Sequence, residues 1–159
     1  MKIPKIYLET TIFNFPFAND APQYKADTLK LFSEIRLRRF ESFASEYVLE
    51  ELNKTTDENK RDRMKALISE YNVKTLSASD ETSRLANIYV QNGIIPNRFA
   101  TDALHIASAT VNDIDFIVSL NFKHIVKHKT IIETEIINAK EGYKRIFIHT
   151  PAEVINYDI

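Results

Sequence analysis

Apolar residues in this chain fall into short runs that are separated by longer stretches with helical spacing. Five short runs, rich in β-branched and aromatic side chains, predict strands at Lys5–Leu8, Phe40–Ala44, Val73–Leu76, Asp115–Leu120 and Arg145–His149. Between them, apolar residues recur every three or four positions, which predicts helices with one buried face. Strands that alternate with helices predict a three-layer α/β/α fold around a central, mostly parallel sheet of about five strands.

The ends of the predicted helices carry recognisable signals. Thr55 precedes Glu58 by three residues, which is the spacing of a capping box at a helix N-terminus. A further helix is predicted over Asp80–Gln91 and ends before Gly93, which can adopt the left-handed conformation that closes a helix. Gly142 has the corresponding position after a later helix. Because these are the only two glycines of the chain, the glycine-rich loops that bind nucleotide phosphates are excluded.

The composition is that of an ordinary globular protein. For 159 residues we expect a single domain over residues 1–159. The chain has no cysteine, so disulfides and thiolate metal sites are excluded and a reducing compartment suits every residue. The sequence shows neither the apolar core of a signal peptide nor a membrane span, so we expect a cytoplasmic protein without a membrane partner. A net charge of −1 means that any binding of nucleic acid depends on local charge.

Acidic residues follow the first two predicted strands. In open α/β sheets, functional groups gather beyond the carboxyl ends of the strands. Glu9 comes directly after the first strand and precedes two threonines whose hydroxyls could orient it. Glu51 lies at the border of the buried face of a short helix that Ser45 opens as N-cap. Taken alone, each acid has the alternative interpretation of a solvated surface residue.

The most apolar helix of the chain has Asp102 in its first turn. A favourable interaction with the helix dipole is the alternative explanation for this acid. His105 lies one turn further on and could approach the same site, although packing within the helix is the favoured interpretation. Asn121 directly follows the fourth predicted strand, whereas Asp115 opens that strand and is expected at the opposite edge of the sheet.

Four segments together resemble the PIN-domain family, and specifically its bacterial branch related to the VapC-type toxin nucleases of toxin–antitoxin operons. The segments are YLETT at 7–11, VLEEL at 48–52, TDALHIA at 101–107 and DFIVSLNF at 115–122. Their order and intervals span nearly the whole chain, and the Asp-Ala-Leu-His-Ile-Ala string is the most specific part. The resemblance implies a PIN-like fold.

The resemblance also implies a metal site. PIN domains place a group of acidic side chains around one or two Mg²⁺ or Mn²⁺ ions and cleave single-stranded RNA. Carried over by position, the catalytic residues are Glu9, Glu51 and Asp102, and the metal ligands are these three together with Asn121. Glu9 stands where the family usually has aspartate, and Asn121 stands where a further aspartate is common. Asparagine keeps an oxygen ligand but lacks the charge.

Contacts with the substrate are expected near the same residues. The candidates are Thr11, Lys123, His124 and Lys127, of which the last three belong to a basic stretch directly after Asn121. Their positive charge could hold RNA phosphates, and a solvated surface is the alternative interpretation. The partners implied by the resemblance are single-stranded RNA, an antitoxin protein and a second copy of the chain in a homodimer.

The predicted function is that of a metal-dependent endoribonuclease, the toxin of a toxin–antitoxin pair. Phosphodiester hydrolysis needs an activated water and a stabilised leaving oxygen, and hard oxygen ligands hold the Mg²⁺ or Mn²⁺ that serves both needs. A different class remains open: a catalytically weak PIN-like module that binds RNA or protein. A phosphohydrolase acting on small substrates would require an enclosed pocket, which few residues of the sequence suggest.

Overall fold

A parallel sheet forms the centre of the computed structural model, which describes residues 2–156. Within these residues five strands pair in the order β3-β2-β1-β4-β5, and every pair is parallel. The strands are β1 (Lys5–Leu8), β2 (Glu41–Ser45), β3 (Lys74–Leu76), β4 (Phe116–Val118) and β5 (Phe147–His149). Each lies within a predicted run or extends one residue beyond it, so the predicted strands are confirmed.

Helices cover both faces of this sheet. They are α1 (Thr11–Asn14), α2 (Pro22–Arg36), α3 (Glu46–Asn53), α4 (Glu58–Glu70), α5 (Asp80–Gln91), α6 (Ala100–Val111), α7 (His128–Lys140) and α8 (Pro151–Ile155). The strand order reverses direction at β1, so crossovers of the usual right hand put the helices that precede β3 on one face and those between β3 and β5 on the other. The expected three-layer α/β/α fold is confirmed.

The two central strands carry the middle of the hydrophobic core. Ile6, Tyr7 and Leu8 of β1 and Ile117 and Val118 of β4 have no solvent exposure. Such continuous apolar runs are typical of parallel strands that are buried on both faces. The sheet therefore gives a rigid support to the residues that follow β1 and β4.

The predicted capping box at the start of α4 is wrong. The N-cap is Asp57, whose side chain accepts a hydrogen bond from the backbone N–H of Lys60 at 3.1 Å. Thr55 instead belongs to the turn that leaves α3, where its N–H donates to the carbonyl of Leu52. Asp57 is the N-cap because it directly precedes Glu58, the first residue of the helix, and has the extended backbone of an N-cap.

The two glycines have the predicted structural role. Gly93 has a φ of +74° after α5, and Gly142 has a φ of +84° after α7. The helix over Asp80–Gln91 has the bounds that the sequence predicts. Both glycines thus occupy the left-handed conformation that ends a helix.

The connectivity of the sheet creates a crevice between β1 and β4. The chain moves outward from β1 to β2 and β3, and then crosses back to add β4 and β5 on the other side of β1. The carboxyl ends of β1 and β4 therefore meet at a topological switch point, where ligands bind in open α/β folds. Asp115 lies at the other edge, as predicted, and its carboxylate accepts the backbone N–H of Lys5 at 2.8 Å.

Candidate active site

Glu9 lies at this switch point and is almost completely buried, with 3% exposure. Its N–H extends the ladder of β1 by donating to the carbonyl of Val118. Its Oε1 accepts hydrogen bonds from the hydroxyls of Thr11 at 2.5 Å and Ser119 at 2.8 Å. The Thr11 oxygen in turn accepts the N–H of Leu120 at 2.9 Å. Residues after both central strands thus hold one carboxylate in a fixed orientation.

Glu51 reaches the same region from α3. Ser45 is the N-cap of this helix, as predicted, and its side chain accepts the N–H of Val48 at 3.4 Å. This register buries Val48 and leaves Glu51 at the border of the buried face. The Oε1 of Glu51 accepts a hydrogen bond from the Thr10 hydroxyl at 2.6 Å and lies 2.5 Å from Nε2 of His105.

A buried chain of polar groups supports Glu51 from behind. The other ring nitrogen of His105, Nδ1, lies 2.7 Å from the Tyr7 hydroxyl, which lies 2.7 Å from the Ser45 hydroxyl. His105 and Tyr7 have no solvent exposure. Because Nε2 is directed at Glu51, we assign His105 as a positioning residue for that carboxylate.

Asp102 enters from the first turn of α6 and is largely buried. The side-chain amide of Asn121 acts on this carboxylate and lowers its pKa. The Oδ1 of Asn121 accepts the N–H of His124 at 3.0 Å, which leaves the amide N–H₂ to interact with Asp102. Asn121 therefore connects the end of β4 to the first turn of α6.

Burial makes two of the carboxylates harder to ionise. Burial raises the pKa of Glu9, although His105 and the hydrogen bonds of Thr11 and Ser119 oppose the rise. Burial also raises the pKa of Asp102. The charge of Glu51 adds to that rise, against the lowering effects of His105 and Asn121. Both carboxylates consequently favour a cation in their vicinity.

For Glu51 and His105, interaction with neighbouring charges outweighs the effect of burial on the pKa. Burial alone would raise the pKa of Glu51, but the hydrogen bond and charge of His105 outweigh it and lower that pKa. Burial alone would lower the pKa of His105, but Glu51, Glu9 and Asp102 outweigh it and raise that pKa. In its charged form, His105 balances part of the negative charge of these carboxylates.

The arrangement suits a hard divalent cation. Carboxylate oxygens of Glu9 and Glu51 lie within 4.8 Å of each other, and a ring nitrogen of His105, which holds Glu51, lies within the same distance of both. In both glutamates the hydrogen bonds from the described residues converge on Oε1, which leaves Oε2 available to a ligand. Free carboxylate oxygens are the ligands that Mg²⁺ and Mn²⁺ prefer.

An open cleft of about 330 Å³ gives access to these carboxylates. Its lining includes Glu9, Glu51, Asp102 and Asn121, the four residues predicted as metal ligands. Lys60 of α4 also lines the cleft and brings a cation to it. The four predicted ligands thus share one cavity, although they come from distant parts of the chain.

The residues predicted to contact substrate have different positions. The hydroxyl of Thr11 is occupied by its bonds to Glu9 and Leu120. His124 is buried, and its ring packs 4.1 Å from that of Phe99 between centroids. Burial, followed by the charges of nearby cations, lowers its pKa. Lys123 and Lys127 are two of those cations.

Sequence reasoning underrated or missed several supporting residues. The sequence favours His105 as a packed helix residue; it is buried, but it also holds Glu51. Its spacing of three residues from Asp102 was the available signal. Ser119 and Lys60 carried no signal, because their approach to the acids depends on how strands and helices assemble.

Comparisons with known proteins bear on the fold. No family model matches the chain, and no curated protein matches it in sequence. Among solved structures, the crystal structure of VapBC2 from Rickettsia felis, bound to a DNA fragment from their promoter, contains a chain with the same architecture. The match has a TM-score of 0.57 at 17% sequence identity and covers 92% of this chain and 98% of that chain. The chain has a PIN-like fold.

This PIN-like fold is the one that the four sequence segments imply. At 17% identity the likeness concerns the fold, and the chemistry depends on the residues of the site. Within residues 2–156, no helix combines the length and the apolar character needed to cross a membrane.

Proposed function

We propose that this PIN-like protein is a Mg²⁺- or Mn²⁺-dependent endoribonuclease that hydrolyses phosphodiester bonds of single-stranded RNA. In this proposal Glu9, Glu51 and Asp102 are catalytic and ligate the metal, with Asn121 beside them. The observation that carries it is the convergence of two buried carboxylates and one partly buried carboxylate at one cleft, with an oxygen left free on each of the two glutamates.

The residues of the chain have separate tasks in this chemistry. A bound divalent ion would supply the charge that stabilises the developing anionic transition state. Thr11 and Ser119 hold Glu9 in place, and His105 holds Glu51, so that little reorganisation is needed when a cation binds. Lys60 is placed to attract a phosphate into the cleft.

The surroundings of the cleft support an extended substrate over a small one. Arg98 and Lys123 both lie against the ring of Phe99, and together with Lys127 they lower the pKa of His124, three residues after Asn121. Within residues 2–156 none of the three forms an ion pair with a carboxylate. Free cations outside the cleft are useful for a polymer that carries several phosphates.

The direct test is cleavage of a labelled single-stranded RNA oligonucleotide. We expect products with Mg²⁺ or Mn²⁺ and none in EDTA, and slower cleavage of the same sequence in a duplex. Contamination is controlled by a Glu51→Gln preparation purified in parallel. If RNA remains intact in both metals, the alternative of a catalytically weak RNA- or protein-binding module takes precedence.

The partners follow from the same proposal. The similar structure is named VapBC2 and was crystallised with promoter DNA. We propose for this chain an antitoxin protein as partner, with RNA cleavage as the activity that the partner restrains. Homodimerisation and a cytoplasmic location stay predictions from the sequence.

Asn121→Asp tests one of the two predicted ligands that depart from the pattern of the PIN-domain family. The substitution places a carboxylate where an amide now favours the ionised form of Asp102, so the metal-free protein should melt at a lower temperature. It should also bind Mn²⁺ more tightly, because another charged ligand becomes available. Calorimetric titration with Mn²⁺ and melting in EDTA measure the two effects.

A charge-matched control separates the site from net charge. Asn87 is exposed on α5 and does not line the cleft, so Asn87→Asp should change neither quantity. If Asn121→Asp also leaves Mn²⁺ affinity and melting in EDTA unchanged, Asn121 has no part in a metal site.

A further inference from the structure

A cluster of aromatic side chains lies beside the acidic cleft. Asn14 and Asn121 line the cleft, and each is directly followed by an aromatic residue, Phe15 and Phe122. Tyr24 of α2 lies between them, with its ring centroid 5.7 Å from that of Phe15 and 5.7 Å from that of Phe122. We call these three residues the aromatic platform.

Two rings of the platform are open to solvent. Tyr24 is 40% exposed and Phe122 is 45% exposed. Phe15 is partly buried against the core and meets Tyr24 edge-on, which supports the Tyr24 ring from below. Neighbouring exposed rings beside a polar cleft form an apolar surface that suits a flat ligand.

Two cations next to the platform in the structure lie against one further ring, that of Phe99. Lys123 follows Phe122 and places its Nζ 5.3 Å from the ring centroid of Phe99. Arg98 stacks against the same ring at 5.1 Å, and the ring itself packs on His124. Because Arg98 and Lys123 form no ion pair within residues 2–156, their charges are available to phosphates.

Exposed rings and free cations next to carboxylates match the chemistry of one polymer. Single-stranded nucleic acid offers phosphates to cations and unpaired bases to aromatic faces, whereas a duplex keeps its bases stacked inside. A peptide without acidic side chains would use the rings but leave the cations unpaired. The combination therefore favours RNA over protein as the occupant.

We propose that Tyr24 and Phe122 stack on a base of single-stranded RNA next to the phosphate held in the acidic cleft, and that Arg98 joins Lys123 in binding the adjacent phosphates. This inference rests on the proposed nuclease function. It adds a base-binding subsite, which makes the protein prefer unpaired RNA.

Removal of both rings tests the subsite by binding alone. Fluorescence anisotropy of a labelled single-stranded RNA oligonucleotide, measured in EDTA to prevent cleavage, reports the affinity of the full chain. Tyr24→Ala combined with Phe122→Ala should weaken binding by about tenfold or more, as expected for loss of base stacking. Tyr24→Phe combined with Phe122→Tyr keeps both rings and should bind as the wild type does.

Two further measurements exclude trivial causes. Ile132 and Ile136 are exposed on α7, with 42% and 60% exposure, and their double alanine variant should retain full RNA affinity. An oligonucleotide that carries 2-aminopurine should lose fluorescence on binding to the wild type, because stacking quenches this base, and should keep it with the ring-free variant.

The outcomes separate the two proposals. If the ring-free variant melts like the wild type and binds RNA with unchanged affinity and quenching, the platform is overturned and its rings are left to a protein partner. Should RNA cleavage by the wild type persist in that case, the nuclease proposal stands alone. Conversely, weak binding by the ring-free variant together with no cleavage by the wild type in either metal would retain the base subsite and reject the nuclease.

Discussion

Asp102→Asn is expected to reduce metal-dependent cleavage of single-stranded RNA by at least about 100-fold, because a charged ligand is lost from the site. The asparagine has nearly the same volume and can still accept a hydrogen bond from Asn121. The loss should therefore come from chemistry rather than from misfolding. Rates of oligonucleotide cleavage at saturating Mn²⁺ measure it.

The same variant should be at least as stable as the wild type in EDTA. The pKa of Asp102 is raised in the folded protein, so its ionisation opposes folding at neutral pH. Removing the charge removes that penalty. Asp62→Asn, on an exposed position of α4, is the matched control and should change neither activity nor melting temperature. An Asp102→Asn protein that is folded and cleaves at the wild-type rate would remove Asp102 from the site.

Saturating Mn²⁺ should raise the melting temperature of the wild type. At a metal concentration of 100 times Kd, linkage gives about 2.7 kcal/mol of stabilisation. For a chain of this length that corresponds to roughly 5–10 °C. Glu51→Gln and Asp102→Asn should lose most of this shift, since each removes a charged ligand. A wild-type protein that melts at the same temperature with Mn²⁺ and with EDTA would favour a module without a metal.

The rise in melting temperature caused by Mn²⁺ should depend on pH, because the carboxylates of the site must ionise to bind the metal. Glu9 and Asp102 have raised pKa values, so each contributes stability to the metal-free protein below its unfolded pKa. That contribution is lost as the pH rises through the folded pKa. Metal ligation requires the ionised forms, so the Mn²⁺-induced shift should grow over the same range. Melting curves from about pH 4 to 8, with Mn²⁺ or EDTA, test this.

The sequence alone determined where the helices and strands lie and at which strand ends the functional groups gather. Strand runs, the N-cap at Ser45 and the helix that carries Asp102 depend on neighbours a few residues away, so their patterns are legible in one dimension. Their order along the chain was enough to predict a parallel sheet. The prediction of Glu9 as a functional residue depended on its position at the end of the first predicted strand. Local patterns can still mislead: the spacing of Thr55 and Glu58 predicts Thr55 as the N-cap of α4, but Asp57 occupies that position.

The tertiary structure decided how the acids are held and which group faces which. The bond between His105 and Glu51 joins positions 54 residues apart, and that between Ser119 and Glu9 joins positions 110 residues apart. Such pairs depend on strand register and helix placement, which no local pattern contains. The role of Asn121 also depends on tertiary structure. Its oxygen accepts the N–H of His124 in the turn that follows, which leaves its amide to interact with Asp102. Residue type predicted which groups could bind a cation, and packing selected the oxygens that remain free to do so.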